Sequence, residues 1–469
     1  MNADGNHNAA PPPNNHRPAR TGVAASCLLA LMATLMGLPG CKKSPTPDAS
    51  PAQSAPTEPP PRPNILLIMI DTLRADALGA YGPADTGTPN IDAIAAEGVV
   101  FNRMISQAPW TQPSIASLFS SRYAGVHKVV NYTQAFKATY QGAQRVMVFD
   151  KSFETLAECL QSAGYATAAL VANPFILTEY GFAQGFDHFD TSFAQNTTPG
   201  RVVNDSALIW LNERDQSKPF FMYLHYMDVH GPFDAAPDFL SPLLDQVEKI
   251  PNKRRLTDEE FQNLRYLNKL PRIYLADAQR HERLYPFREY WLARYQAGVR
   301  QIDHFIGDVR QRLADLGLWD DTYVIITSDH GEALCEHGQW EHGWSVHHTD
   351  LWIPLILRWP GHLPANRRVR QTLRLIDLMP TLLDQLRLDR PKGLQGYPLT
   401  SYIAGRPPSR PALAFAEAVK IGPEQKGIYV GDWKLMVTPA TGSRQLFNIA
   451  KDPYEQNNLL DRYPQQSRQ

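Results

Sequence analysis

Asp71, Thr111, Asp329 and His330 together supply two carboxylates, a hydroxyl and an imidazole, a donor set that suits a hard-to-borderline divalent cation. The adjacent pair Asp329-His330 is the sharper half of the pattern, although Asp-His-Gly also arises by chance and a lone histidine is more often structural than ligating. Thr111 lies in the run Ala108 to Ser121, APWTQPSIASLFSS, where Pro113 precedes the apolar-periodic residues Ile115, Leu118 and Phe119 and so signals a helix start. A hydroxyl at that place sits in the field of the helix N-terminus, where free N–H groups favour an anion. Thr111 is therefore either a helix-flanking residue or a nucleophile toward an anionic ester.

The elements that must position these groups are buried strands. Asn64 to Ile70 (NILLIMI) is an unbroken apolar run of strand length, as expected of a parallel strand covered on both faces, and Asp71-Thr72 follow it at once. Read alone, Asp71 is a site residue or a turn aspartate. Tyr165 to Val171, Phe220 to His225 and Thr322 to Thr327 read as further buried strands. They end at Asn173, at Asp228 and His230, and at Ser328 to Glu332 respectively. In an open parallel sheet such ends line one edge, where ligands bind. Helices are expected at Pro89 to Gly98, Phe153 to Ala163, Tyr290 to Leu316 and about Ile376 to Leu388, and Leu351 to Trp359 reads as one more strand.

The charged segment 234–288 is too long for a bare loop and reads as a helical insertion, either a lid or a solvated excursion. Pro-rich Arg390 to Pro411 marks a boundary, beyond which short runs (Lys426 to Val430, Trp433 to Val437, Gln445 to Phe447) fit a small antiparallel sheet. The expected fold class is α/β: a central, mostly parallel sheet flanked by helices in 63–390, with a smaller C-terminal antiparallel sheet subdomain in 391–469.

The chain has 469 residues with a formal net charge of -1, which gives no sign of a nucleic-acid-binding surface. Residues 1–40 read as a secretory signal, with Arg17 and Arg20 ahead of the uncharged Val23 to Leu38. The end of that stretch, Leu38-Pro39-Gly40-Cys41, resembles the lipobox of bacterial lipoproteins, with Pro39 where a small residue is usual. Cys41 is then the lipidated residue, the alternative being a plain signal peptide cut nearby. Residues 41–62, rich in Pro, Ser, Thr and Ala, would form a tether that cannot pack. Cys159 and Cys335 neither prove nor exclude a disulfide.

From about Pro63 to Leu460 the sequence resembles the sulfatase family of the alkaline-phosphatase superfamily. The resemblance rests on PNILLIMIDTLRAD, TQPSIASLFSS, GFAQGFDHFD, HYMDVHGPF, TSDHGE, IPLILRWPG, IDLMPTLLD and LFNIAKDPYEQNNL, in the family's order. It implies that Asp71, Asp329 and His330 are metal ligands and that Thr111 is the nucleophile that also touches the metal. By position, Asn173 falls near a substrate-binding lysine of the family. His230 and His342 match residues that hold the ester or protonate the leaving oxygen, and Arg74 resembles a neighbouring basic residue. The implied cofactor is one divalent ion, Mn, Zn, Ca or Mg.

The departures from the family pattern bear on the reaction. Sulfatases proper carry C/S-x-P-x-R, whose first residue is oxidised to formylglycine; here the motif is Thr111-Gln112-Pro113-Ser114-Ile115. Threonine cannot give an aldehyde, so no formylglycine is expected, and Thr72 replaces the second aspartate of the usual pair. The leading expectation is a lipid-anchored metallohydrolase of phosphoric, phosphonic or sulfuric esters in the cell envelope, facing the periplasm or the exterior. Its substrate would be a small molecule or a glycan or lipid ester. The alternatives are a phospho-headgroup transferase acting on envelope glycans or lipids, and a degenerate binding protein.

Overall fold

The structure is a computed structural model and describes residues 62–82, 86–130, 147–194, 199–269, 282–283, 285–409 and 413–468. All of these lie in one compact unit, Pro59–Gln469. The expected signal, Cys41 and the tether up to residue 61 fall outside the described residues.

The sheet grows from β1, Asn64–Ile70, every residue of which is buried. Alternation along an extended strand sends successive side chains to opposite faces. Leu66, Ile68 and Ile70 accordingly join one hydrophobic cluster, while Ile65, Leu67 and Met69 join another. The first cluster is completed by the long helix Arg288–Asp315, through Trp291, Ile302 and Ile306. The second is completed by Ile115, Leu118 and Phe119 and by Leu378, Met379 and Leu382. An apolar run without polar interruption is thus what a strand between two helical layers requires.

In chain order the other strands of this sheet are β2 (Val99–Ile105), β3 (Ala166–Val171), β4 (His188–Asp190), β5 (Phe220–Tyr226) and β6 (Thr322–Thr327). A two-stranded ribbon follows, β7 (Ala333–Leu334) with β8 (Trp340–Glu341), and then β9 (Trp352–Ile353), β10 (Leu355–Arg358) and β11 (Arg367–Arg374) complete the large sheet. That sheet is nine-stranded, in the order β11-β2-β10-β6-β1-β5-β3-β4 with β9 paired to β2. β1 pairs in parallel with β5 and β6, and β3 in parallel with β5 and β4, while β10 runs antiparallel to both β6 and β2. The mostly parallel architecture is as expected. A separate sheet, β12 (Leu413–Ala416), β13 (Lys426–Val430), β14 (Trp433–Thr438) and β15 (Ser443–Asn448), is antiparallel throughout. It shares its core with the large sheet, since Ala414, Tyr429, Met436 and Phe447 cluster with Ile105, Val346 and Leu351.

Two local readings need correction. Leu351 to Trp359 is not one strand: Pro354, with no N–H to donate, separates β9 from β10 and the two pair differently. The helix expected from Ile376 to Leu388 is a 3-10 turn, Leu375–Asp377, followed by a helix over Leu378–Gln385. β2 and β11 escaped the sequence reading, because VVFNRMI and RRVRQTLR carry charges that break the apolar run. Within 234–288 the structure forms helices over Pro237–Glu248 and Asp258–Lys269. Leu243 and Val247 of the first line a cavity of about 360 Å³ together with Arg74, Tyr295 and Leu334.

Candidate active site

β6, β1, β5 and β3 are consecutive neighbours in the sheet, and Asp329, Asp71, His230 and Asn173 follow their respective carboxyl ends. The helix α2, Thr111–Ser120, starts at the same edge with Thr111 as its first residue and Trp110 extended before it. Thr111 Oγ1 lies 3.4 Å from Asp71 Oδ2 and 3.4 Å from His330 Nε2. Thr111 is only 3 % exposed, and Asp71, Asn173, Asp329 and His330 are at 0 %.

The two aspartates are held asymmetrically. Asp71 Oδ2 accepts from Asn173 Nδ2 at 2.5 Å and from His225 Nε2 at 3.2 Å, and Tyr223 Oη in turn lies 2.8 Å from His225 Nδ1. Asp329 Oδ1 accepts from the backbone N–H groups of His330 at 2.9 Å and Thr72 at 3.3 Å. The other oxygens, Asp71 Oδ1 and Asp329 Oδ2, are buried and accept no hydrogen bond from the described residues. His330 Nδ1 donates to Gly331 O at 2.9 Å, which leaves the Nε2 lone pair facing both carboxylates, 3.7 Å from Asp71 Oδ1 and 3.4 Å from Asp329 Oδ2.

Ligand atoms from Asp71, Asp329 and His330 all lie within 4.8 Å of one another. Two unsatisfied buried carboxylate oxygens and one imidazole lone pair converging in this way fit a divalent cation. Burial opposes the charge on Asp71, but the His225 hydrogen bond and the nearby His230 and His330 outweigh it and hold the carboxyl below its ordinary range. Burial, and then the charge of Asp71, push Asp329 up to about 8. A cation between the two would relieve that repulsion.

Thr72, which stands where an acidic residue was noted as usual, turns its hydroxyl back to donate to Asp71 O at 2.7 Å. Its φ of 58° is in the left-handed region, which a β-branched residue rarely adopts. The backbone is held there by Thr72 N–H to Asp329 and by Tyr295 Oη donating to Thr72 O at 2.9 Å. The glycine of Asp-His-Gly is required by a close approach, since a Cβ on Gly331 would stand 2.0 Å from Thr349 O.

His342 lies between the other two imidazoles, its ring centroid 4.4 Å from that of His330 and 5.1 Å from that of His230. Its Nδ1 is 3.3 Å from Glu332 Oε1, and His230 Nδ1 donates to Gly231 O at 2.6 Å. Burial foremost keeps both His230 and His342 below the usual imidazole range.

Arg74 does not join this group. Its guanidinium donates to Asp76 at 2.9 and 2.7 Å and to Glu336 at 3.0 Å, so its charge is already matched by carboxylates. His347 and His348 belong to a second group: His347 Nδ1 is 2.7 Å from Glu455 Oε2, and His348 Nδ1 is 3.3 Å from Tyr429 Oη. His225 and Glu332 were missed by the sequence reading. His225 lies inside the apolar strand FFMYLHY, where a histidine reads as core, although the same alternation that places Phe221 and Tyr223 on the α2 side puts it there too.

Comparison with known proteins agrees with this architecture. Residues 63–388 match the family model described as Sulfatase, and residues 335–468 match one described as N-sulphoglucosamine sulphohydrolase, C-terminal. An arylsulfatase of Clostridium perfringens is 23% identical over 458 residues, covering 85% of this chain and 90% of that protein. The solved structure of BT4656 in complex with D-glucosamine-2-N,6-O-disulfate superposes with a TM-score of 0.69 at 21% identity, covering 87% of this chain and 95% of that one. The phosphonate monoester hydrolase of Agrobacterium radiobacter superposes with a TM-score of 0.66 at 22% identity, covering 86% and 93%.

Proposed function

The chain belongs to the sulfatase family of hydrolases, and from that premise we propose that it cleaves phosphoric, phosphonic or sulfuric esters with Thr111 as the nucleophile, phosphorus esters being favoured. The observation that carries this reading is the Thr111 hydroxyl, first residue of α2, lying 3.4 Å from both Asp71 Oδ2 and His330 Nε2. A threonine has no aldehyde oxidation product, so the hydroxyl itself is the group that attacks. The presence of a phosphonate monoester hydrolase among proteins of this fold is consistent with phosphorus chemistry.

Asp71, Asp329 and His330 would hold a divalent cation, which when bound would lower the pKa of the Thr111 hydroxyl and neutralise charge on the ester's non-bridging oxygens. The Thr111 hydroxyl gives up its proton toward Asp71 Oδ2, to which it donates at 3.4 Å, and Oγ1 forms a bond to phosphorus or sulfur as the bond to the leaving oxygen breaks. His342 gives that oxygen its proton, and an approaching anionic ester favours the protonated imidazole this requires. His230 stabilises the developing charge, and the N-terminus of α2 adds its dipole. Water then opens the threonyl ester and restores the hydroxyl.

The test is Thr111→Ala, assayed on matched aryl phosphate, phosphonate and sulfate esters. Turnover should fall on the order of 10⁴-fold or more with the fold intact. Retained turnover would sink the mechanism, and turnover of the sulfate alone would sink the preference for phosphorus. We also propose lipid anchoring at Cys41, supported by the lipobox-like LPGC. Cys41→Ser should abolish incorporation of a labelled fatty acid and release the protein from the membrane fraction.

A further inference from the structure

Lys420 comes from the loop between β12 and β13, far in sequence from Asp71, Thr111, His230 and His330. Its backbone N–H donates to Gly343 O at 2.8 Å, and that of Ile421 donates to the same oxygen at 3.0 Å. Two residues earlier, Ala418 O accepts the indole N–H of Trp110 at 2.8 Å. The loop is thereby pinned at once to the neighbour of His342 and to the neighbour of Thr111. A Cβ on Gly343 would come within 2.8 Å of Lys420 Cβ and 3.1 Å of its Cδ, so this glycine is what lets the lysine stem lie beside His342.

The ammonium points into a corner made by two aromatic rings, 5.6 Å from the Trp110 centroid and 5.0 Å from the Phe175 centroid. The rings meet edge to face at 6.5 Å and 89°. Trp110 precedes the nucleophile position, and Phe175 is tied to Asn173 by its backbone N–H donating to Asn173 Oδ1 at 2.7 Å.

We propose that Lys420 contacts the substrate, binding the charged oxygens of the phosphoryl or sulfuryl group beside Thr111. This rests on reading the Thr111 site as an ester-cleaving centre. A fixed ammonium on a dianionic group is a charge-assisted contact, and aromatic walls restrict where its charge is presented.

The experiment measures binding of inorganic phosphate and sulfate by calorimetry to Mn-loaded wild type, Lys420→Met, Lys420→Arg and Thr111→Ala, beside kcat and KM on aryl esters. Methionine keeps the stem against Gly343 and removes only the charge, and thermal melting checks the fold of each variant. Lys420→Met should bind phosphate at least about ten-fold more weakly and raise KM by a similar factor, with Lys420→Arg within about three-fold of wild type. Phosphate affinity within about two-fold of wild type in Lys420→Met overturns the proposal, as does a wild type that takes up neither anion. A wild type that binds phosphate through Lys420 yet cleaves no ester defeats the nucleophile assignment alone. Turnover lost in Thr111→Ala with phosphate binding unaltered in Lys420→Met defeats the Lys420 assignment alone.

Discussion

The two oxygens of Asp71 have different surroundings: Oδ2 accepts from Asn173 and His225, while Oδ1 accepts from none of the described residues and lies 3.7 Å from His330 Nε2. Groups that orient a ligand matter to affinity almost as much as the ligand itself. Asn173→Ala and His225→Ala should each weaken Mn binding by about 10–100-fold in a metal titration while the melting temperature moves little. Unchanged affinity in both would mean that Asp71 is oriented by something else. Asp71, Thr111, Asp329 and His330 were legible in the sequence because strand ends and helix starts announce themselves. His225 was not, because one polar residue inside FFMYLHY carries no periodic signal, and Lys420 was not, because only tertiary contacts bring its loop to Trp110 and Gly343. Arg74 is the converse case: the sequence shows its charge but not the pairing with Asp76 and Glu336.

At the scale of elements, α2 has no exposed face; each of its ten residues is buried. Ser117 on this helix meets His127 Nε2 at 2.9 Å, while Val129 N–H donates to His127 Nδ1 at 3.2 Å. Nδ1 must therefore be the unprotonated nitrogen, and protonating it would set two donors against each other. Burial pushes the imidazole down to about 3, against about 6.5 for an unfolded histidine. The folded state consequently has its full stability above about pH 6.5 and loses it progressively as the pH falls toward 3. Buried His348, also pushed down to about 3, adds in the same sense. Denaturant midpoints measured from pH 7.5 to 4 should fall less steeply for His127→Gln than for wild type, and parallel curves would refute this. The apolar strands and α2 were legible for the same reason that they are stable, continuous burial. β2 and β11, which mix charges into a strand, show where that signal fails.

Across the whole molecule, the small sheet is welded to the large one by polar groups as well as by its shared core. Lys434 of β14 and Glu455 form a fully buried pair at 2.5 Å, Glu455 also meets His347, and Lys434 donates to Val346 O at 2.5 Å. Removing one partner of such a pair strands the other charge. Lys434→Met should cost about 3–5 kcal/mol in equilibrium denaturation, with much of that recovered in the double variant Lys434→Met, Glu455→Met. A loss below about 1 kcal/mol would show that the weld is apolar alone. The position of β1 has a consequence for synthesis. It is the first of the described strands to be made, yet both of its partners, β5 and β6, come later, and the bond from Thr72 N–H to Asp329 spans 257 residues. Until β6 has been translated, the six apolar residues Ile65 to Ile70 have no finished sheet to enter, so long-range pairing slows folding. In the growing chain these residues stay an exposed apolar segment until β5 and β6 arrive.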